Sequence, residues 1–167
     1  MREEGENINV PISIVTDKDI KPNDEGVFEP EEESDRDKTR IENLIKLQKD
    51  LETSDIRLYL AKEWTLEWCL FKSEVFSELF KTAVSNVHTG TEEFKKNTDD
   101  EFKNSFQSKF IQKLAKRGSS PLNKVAIASE FALLLEGSSE ITNEQLEKDI
   151  YLKYLIEAIK HVCEYDN

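Results

Sequence analysis

Apolar positions recur along this chain at two periods, and the change between them outlines the fold. The run Val10, Pro11, Ile12, Ser13, Ile14, Val15 is short, β-branched and closed by Asp17, which predicts a strand. Its apolar character on both parities predicts cover on both faces, as in a parallel sheet. Ile56, Leu58 and Leu60 alternate with Arg57 and Tyr59, which predicts a second strand over 56–61. Between the strands, Ile41, Leu44, Ile45 and Leu47 predict a helix over 37–52 with these residues on its buried side. Residues 18–37 carry Pro22, Gly26, Pro30 and the run Glu31, Glu32, Glu33, so they are expected to form an acidic, solvated loop.

From Thr65 onward the period is helical. Leu66, Leu70, Phe71, Val75, Leu79, Phe80 and Ala83 predict one helix over 65–86, ended by His88, Thr89 and Gly90. Thr98 with Glu101 forms a candidate capping box ahead of the stripe Phe102, Phe106, Phe110 and Leu114, with Gly118 as its stop. Residues 122–136 are apolar enough to predict a central helix. Thr142 with Gln145 is a second candidate capping box. It opens a last helix with Leu152, Leu155, Ile156, Ile159 and Cys163 on one face. The predicted class is α/β: an incomplete parallel sheet of about two strands, then a mostly helical region. Residues 1–90 hold the strand–helix–strand unit and residues 91–167 the helical extension.

Composition narrows the chemistry. The formal net charge is −12 over 167 residues, a field that repels nucleic acid and favours cations. Cys69 and Cys163 lie far apart in helical patterns, which predicts two buried free thiols in a reducing compartment. His88 and His161 are isolated, so no zinc site is expected. No apolar run approaches the roughly 20 residues that cross a bilayer, and the start is acidic and polar. A cytoplasmic protein with no membrane partner is expected.

Three stretches carry candidate chemistry. Asp17 and Asp19 follow the first strand, where ligands of parallel sheets bind. Alternation along an extended chain places both on one side, as a hard oxygen site for Mg²⁺ or Mn²⁺; the plainer reading is a turn after a strand. Glu63 and Glu67 follow the second strand and reach the same edge, and Thr65 is placed to cap the next helix. The plainer reading there is a capping region with exposed glutamates and core tryptophans. Lys124 sits in the first turn of an apolar helix, where the dipole opposes it. Aimed at a metal-loaded site, it would balance charge on a phosphate; otherwise it is a surface lysine.

Together, and in this order, VPISIVTDKDIKPN, LYLAKEWTLEWCL and NKVAIASEFALLL resemble the TOPRIM domain of the OLD (overcoming lysogenization defect) family of ATP-dependent endonucleases, over about residues 9–136. The resemblance implies metal-dependent hydrolysis of DNA phosphodiesters. It implies Asp17, Asp19 and Glu67 as ligands of Mg²⁺ or Mn²⁺, and Lys124 as the residue that stabilises the transition state. It also suggests defence against phage or foreign DNA. The chain departs from the family in two respects. No acidic strand precedes Val10 to supply the first TOPRIM glutamate, and no GxxxxGK[ST] pattern supplies an ATP site. The expectation is therefore the carboxy-terminal part of a longer protein, incomplete as a catalyst alone and acting on DNA within the full-length protein. The competing expectation is a non-catalytic helical module that docks a partner or a second copy through Phe102, Phe106 and Phe110.

Overall fold

Short β-branched runs on either side of one helix form a parallel pair. In the computed structural model, strand β1 (Ile12–Thr16) lies beside strand β2 (Ile56–Leu60), with Ile12 opposite Ile56 and Thr16 opposite Leu60. Both strands therefore end at one edge. Helix α1 (Asp35–Asp50) connects them, and Gln48 on it donates to the Leu58 carbonyl at 3.0 Å. The structure describes residues 10–23, 25–27, 35–52, 55–90, 94, 100–115, 121–138 and 141–163. The class is mixed α/β, and among the described residues no helix is long and apolar enough to cross a membrane.

The helix predicted over 65–86 is two helices, α2 (Leu66–Lys72) and α3 (Ser77–Val87). The one predicted after Thr142 is also two, α6 (Asn143–Lys148) and α7 (Lys153–Cys163). Between these pairs run α4 (Asp100–Leu114) and α5 (Lys124–Glu136). Periodicity carries straight through both breaks. The stops come from hydrogen bonds made across the fold: Ser73 Oγ donates to Asp149 Oδ2 at 2.6 Å, tying the first break to the second. The Thr142–Gln145 capping box forms as expected. Thr98 lies outside the described residues, as does Gly118.

Aromatic side chains fill the main core. Trp68, Phe80 and Phe110 are almost fully buried, and Phe110 stacks on Phe71 at 4.7 Å between ring centres. Phe106 and Phe110 of the phenylalanine stripe belong to this core, which draws residues from both sides of residue 90. A smaller cluster of Tyr59, Ala61, Cys69, Tyr154 and Ala158 joins α7 and α2 to β2.

Several expectations about cover need correction. Ile12, Ile14 and Val15 are 42–46% exposed, because α7 is the one described helix that packs on β1. Ile45 and Leu47 are exposed, since α1 rests on β2 alone and turns Ile41, Leu44 and Gln48 toward it. Helix α5 is not central: Ile127 and Phe131 are buried against α3, while Val125 and Leu133 face solvent. Cys69 is buried, but Cys163 is exposed near the end of α7; both are free. The described part of the acidic loop is ordered rather than merely solvated. Ile20 and Pro22 are buried, and Asn23 Oδ1 accepts from the Glu25 and Val27 amides. Gly26 takes a φ of +78°, which lets the chain pass against Gln107 and Trp68.

Candidate metal centre

At the carboxyl ends of β1 and β2 the chain must leave the sheet, and the side chains there are positioned by the start of α2. Thr65 caps that helix, its Oγ accepting from the Trp68 amide at 3.3 Å. The next free amide, that of Leu66, donates to Asp17 Oδ1 at 3.0 Å. A carboxylate from β1 thus sits on a helix start, the favourable end of the dipole for an anion.

Glu67 follows Leu66 and stands close enough to raise the Asp17 pKa. Burial is the largest cause of that rise, Glu67 the next, and Asp19 adds to it; the Leu66 amide and Lys124 oppose it. Lys124 Nζ holds Glu67 Oε1 at 2.8 Å across α5 and α2. Asn123 caps α5, its side chain accepting from the Ala126 amide, and thereby fixes Lys124 in the first turn. Asp17, Glu67 and Lys124, drawn from three separate regions of sequence, therefore meet at one edge of the sheet.

Asp19 stands differently. Alternation does not continue past Thr16, because Asp19 adopts a φ of +58°. Its amide donates to the Trp64 carbonyl at 3.0 Å, and its carboxylate pairs with Arg40 of α1. Asp19 is near enough for its charge to reach Asp17, yet it is anchored to a cation of its own. Glu63 turns inward. Its carboxylate accepts from Trp68 Nε1 at 2.8 Å and from the Tyr151 hydroxyl at 3.4 Å, and its charge helps push the Tyr151 phenol, already raised by burial, up to about 12.

Among the described residues, no group of three or more acidic, imidazole or thiol side chains is arranged to hold a metal ion. The donor set instead suits an ion that keeps most of its water. Mg²⁺ characteristically binds through one or two carboxylates and retains several waters. Asp17 and Glu67 form such a pair: two neighbouring carboxylates, one destabilised by the other, with an ammonium group beside them as the present counterion. A cleft of about 730 Å³ between α1, β2 and α7, lined by Arg57, Tyr59 and His161 among others, contains none of the four candidate residues.

Sequence reasoning missed Arg40, the partner of Asp19, and Tyr154, which stands beneath α2 beside Cys69. Spacing gave no signal for either, since both lie on helices whose partners come from distant segments. Comparison with protein-family models, with curated proteins and with solved structures finds no match to this chain.

Proposed function

We propose that this chain carries part of a TOPRIM-type, Mg²⁺- or Mn²⁺-dependent centre for phosphodiester hydrolysis, similar to that of the OLD family endonucleases. The observation that supports this reading is the meeting of Asp17 and Glu67, carboxylates from the ends of two parallel strands, with Lys124 at 2.8 Å from one of them.

A bound divalent cation supplies Lewis acidity and activates water for attack on a phosphodiester. Asp17 would hold it from the end of β1 and Glu67 from the start of α2. Lys124, 2.8 Å from Glu67, would balance the charge that builds on the non-bridging phosphate oxygens of a substrate held at this edge. Asp19, clamped by Arg40, steadies the turn that carries Asp17 and adds negative potential to the edge. The net charge of −12 opposes DNA, so DNA binding belongs to the full-length protein, with its other regions supplying positive charge. Within that reading the chain is an incomplete catalyst, and its own turnover is slow.

The test is nicking of supercoiled plasmid by the chain at low ionic strength with Mn²⁺. Slow, Mn²⁺-dependent nicking is expected, abolished in Asp17→Ala and reduced at least a hundredfold in Lys124→Met, on the scale of losing one group that stabilises a developing charge. Nicking that survives Asp17→Ala, or that proceeds equally in EDTA, contradicts the proposal.

A further inference from the structure

The edge of β2 that faces away from β1 opens into the cleft between α1 and α7. The Asp55 carbonyl and the Ala61 amide bond to β1, so the odd-numbered backbone groups of β2 face β1 and the even-numbered ones face outward. On the outward side the Leu58 carbonyl accepts from Gln48 Nε2 at 3.0 Å. The Leu58 amide points the same way and has no acceptor among the described residues. Leu58 lines the cleft, so a backbone donor stands there unsatisfied, which is unfavourable unless something accepts from it.

Cations gather around this donor. Arg57, from β2, and Lys49, from the last turn of α1, line the cleft, and neither has an ion-pair partner among the described residues. Lys160 and His161 line it from the last turn of α7, and Lys160 also bridges to Glu147 at 2.6 Å. Helix dipoles account for cations at the ends of α1 and α7, but not for Arg57, which stands on a strand. Two carboxylates, Glu52 and Glu157, share the lining, and Glu157 stands 3.6 Å from Lys153. The chain as a whole has 35 acidic and 23 basic residues; here Lys49, Arg57 and Lys160 outnumber the two glutamates.

The cleft is larger than a bare anion needs. Its volume is about 730 Å³, within the range of sites that hold small organic molecules. The Tyr59 and His161 rings lie 6.2 Å apart in its lining. His161 is fixed there through Nε2, which donates to the Asp55 carbonyl at 3.1 Å. An adjoining recess of about 270 Å³ shares Tyr59 and adds Leu60 and the exposed Ile150, together with Lys62 and Lys153.

We infer that this cleft binds a small organic phosphate, a phosphate monoester carried on a flat apolar group. The Arg57 guanidinium offers paired N–H donors that match two phosphate oxygens. Lys49 and the Leu58 amide supply further donors. The apolar group lies along the Tyr59 ring toward Leu60 and Ile150. The cleft contains neither Asp17 nor Glu67, and binding there needs no divalent cation, so the inference goes beyond the proposed metal centre and does not rest on it.

The test is titration of phenyl phosphate into the full chain in EDTA, followed by amide NMR, with inorganic phosphate and phenol titrated in parallel. Saturable binding is expected with a Kd below about 1 mM, and with inorganic phosphate and phenol each weaker by about tenfold or more. The amides of Lys49, Arg57, Leu58 and His161 are expected to shift together. Arg57→Gln is expected to weaken binding by about tenfold or more, and Lys49→Gln to weaken it measurably. Lys148→Gln, on α6 and outside the cleft, leaves it unchanged. Lys49 is exposed on α1, so its variant decides the matter if Arg57→Gln fails to fold. Four results overturn the inference: no saturable binding, equal binding of inorganic phosphate or phenol, shifts centred on Leu66, Glu67 and Lys124, or wild-type affinity in every folded variant of Arg57 and Lys49.

Discussion

Ser73 and Asp149 stand 76 residues apart in sequence and 2.6 Å apart in the fold, hydroxyl to carboxylate, each at the point where a helix stops. Asp149 is 1% exposed and accepts three hydrogen bonds, from Ser73 Oγ, the Val75 amide and the Tyr151 amide. The last two serve backbone groups freed by the two breaks. One buried carboxylate thus lets two runs of helical periodicity fold back on themselves.

Removing that carboxylate takes the acceptor from the Ser73 hydroxyl and the Tyr151 amide, and leaves the Val75 amide with Ser73 Oγ alone. Asp149→Ala is expected to cost about 2–4 kcal/mol, measured by urea denaturation. Asp149→Asn keeps an acceptor oxygen and should cost clearly less. Equal losses would mean that volume, rather than hydrogen bonding, holds the two breaks together.

Phe110 is fully buried and contacts Phe71, Trp68 and Phe80 at ring separations of 4.7, 6.4 and 5.9 Å. Phe110→Ala removes a ring at the meeting point of α2, α3 and α4, and is expected to cost about 3–5 kcal/mol. Chemical denaturation with tryptophan fluorescence checks it, since Trp68 reports on the same site.

Gly26 packs so closely that an added Cβ would stand 2.3 Å from Gln107 Nε2, at a φ that disfavours any side chain. Gly26→Ala is expected to lose about 1–2 kcal/mol and to break the 2.7 Å bond from Gln107 to the Glu25 carbonyl. Thermal melting gives the magnitude, and hydrogen exchange at the Val27 amide reports the release of the turn.

Asp17 offers a pH-dependent test. Burial and the neighbouring Glu67 raise its pKa above the ordinary 3.8. The folded state then favours the protonated acid, so its stabilising contribution is complete below 3.8 and is lost as pH rises through the raised value. Asp17→Asn keeps the acceptor for the Leu66 amide without the charge. It is expected to melt higher than the wild type at pH 7, with the advantage shrinking to nothing as pH falls toward 3.8. Such a gain is typical where a residue is held for function at a cost in stability. A variant that melts lower than the wild type at pH 7 contradicts the account of Asp17.

The sequence made the parallel pair and most helical segments readable, because Ile, Val and Leu alternate in one region and recur every three or four residues in the other. It also marked Asp17, Glu67 and Lys124 as candidates, through their places after strands and at a helix start. It could not show where helices stop. Ser73 and Asp149 look like ordinary polar positions until the fold brings them together. The turn at Asp19 was hidden for a similar reason: a positive φ on aspartate is set by the Trp64 carbonyl and by Arg40, neither of which is a local signal. Ile20 and Pro22 read as loop residues because their cover comes from distant parts of the chain.

The central claim is that Asp17 and Glu67 draw a divalent cation to the shared end of β1 and β2. The most direct measurement is amide NMR during a substoichiometric titration with paramagnetic Mn²⁺. The account expects the amides of Asp17, Leu66, Glu67 and Lys124 to broaden first and together, and the effect to vanish in the Asp17→Ala/Glu67→Ala double variant. Broadening that begins instead around the acidic run Glu31, Glu32 and Glu33, and is unchanged by the double variant, would show a diffuse acidic surface in place of a metal centre.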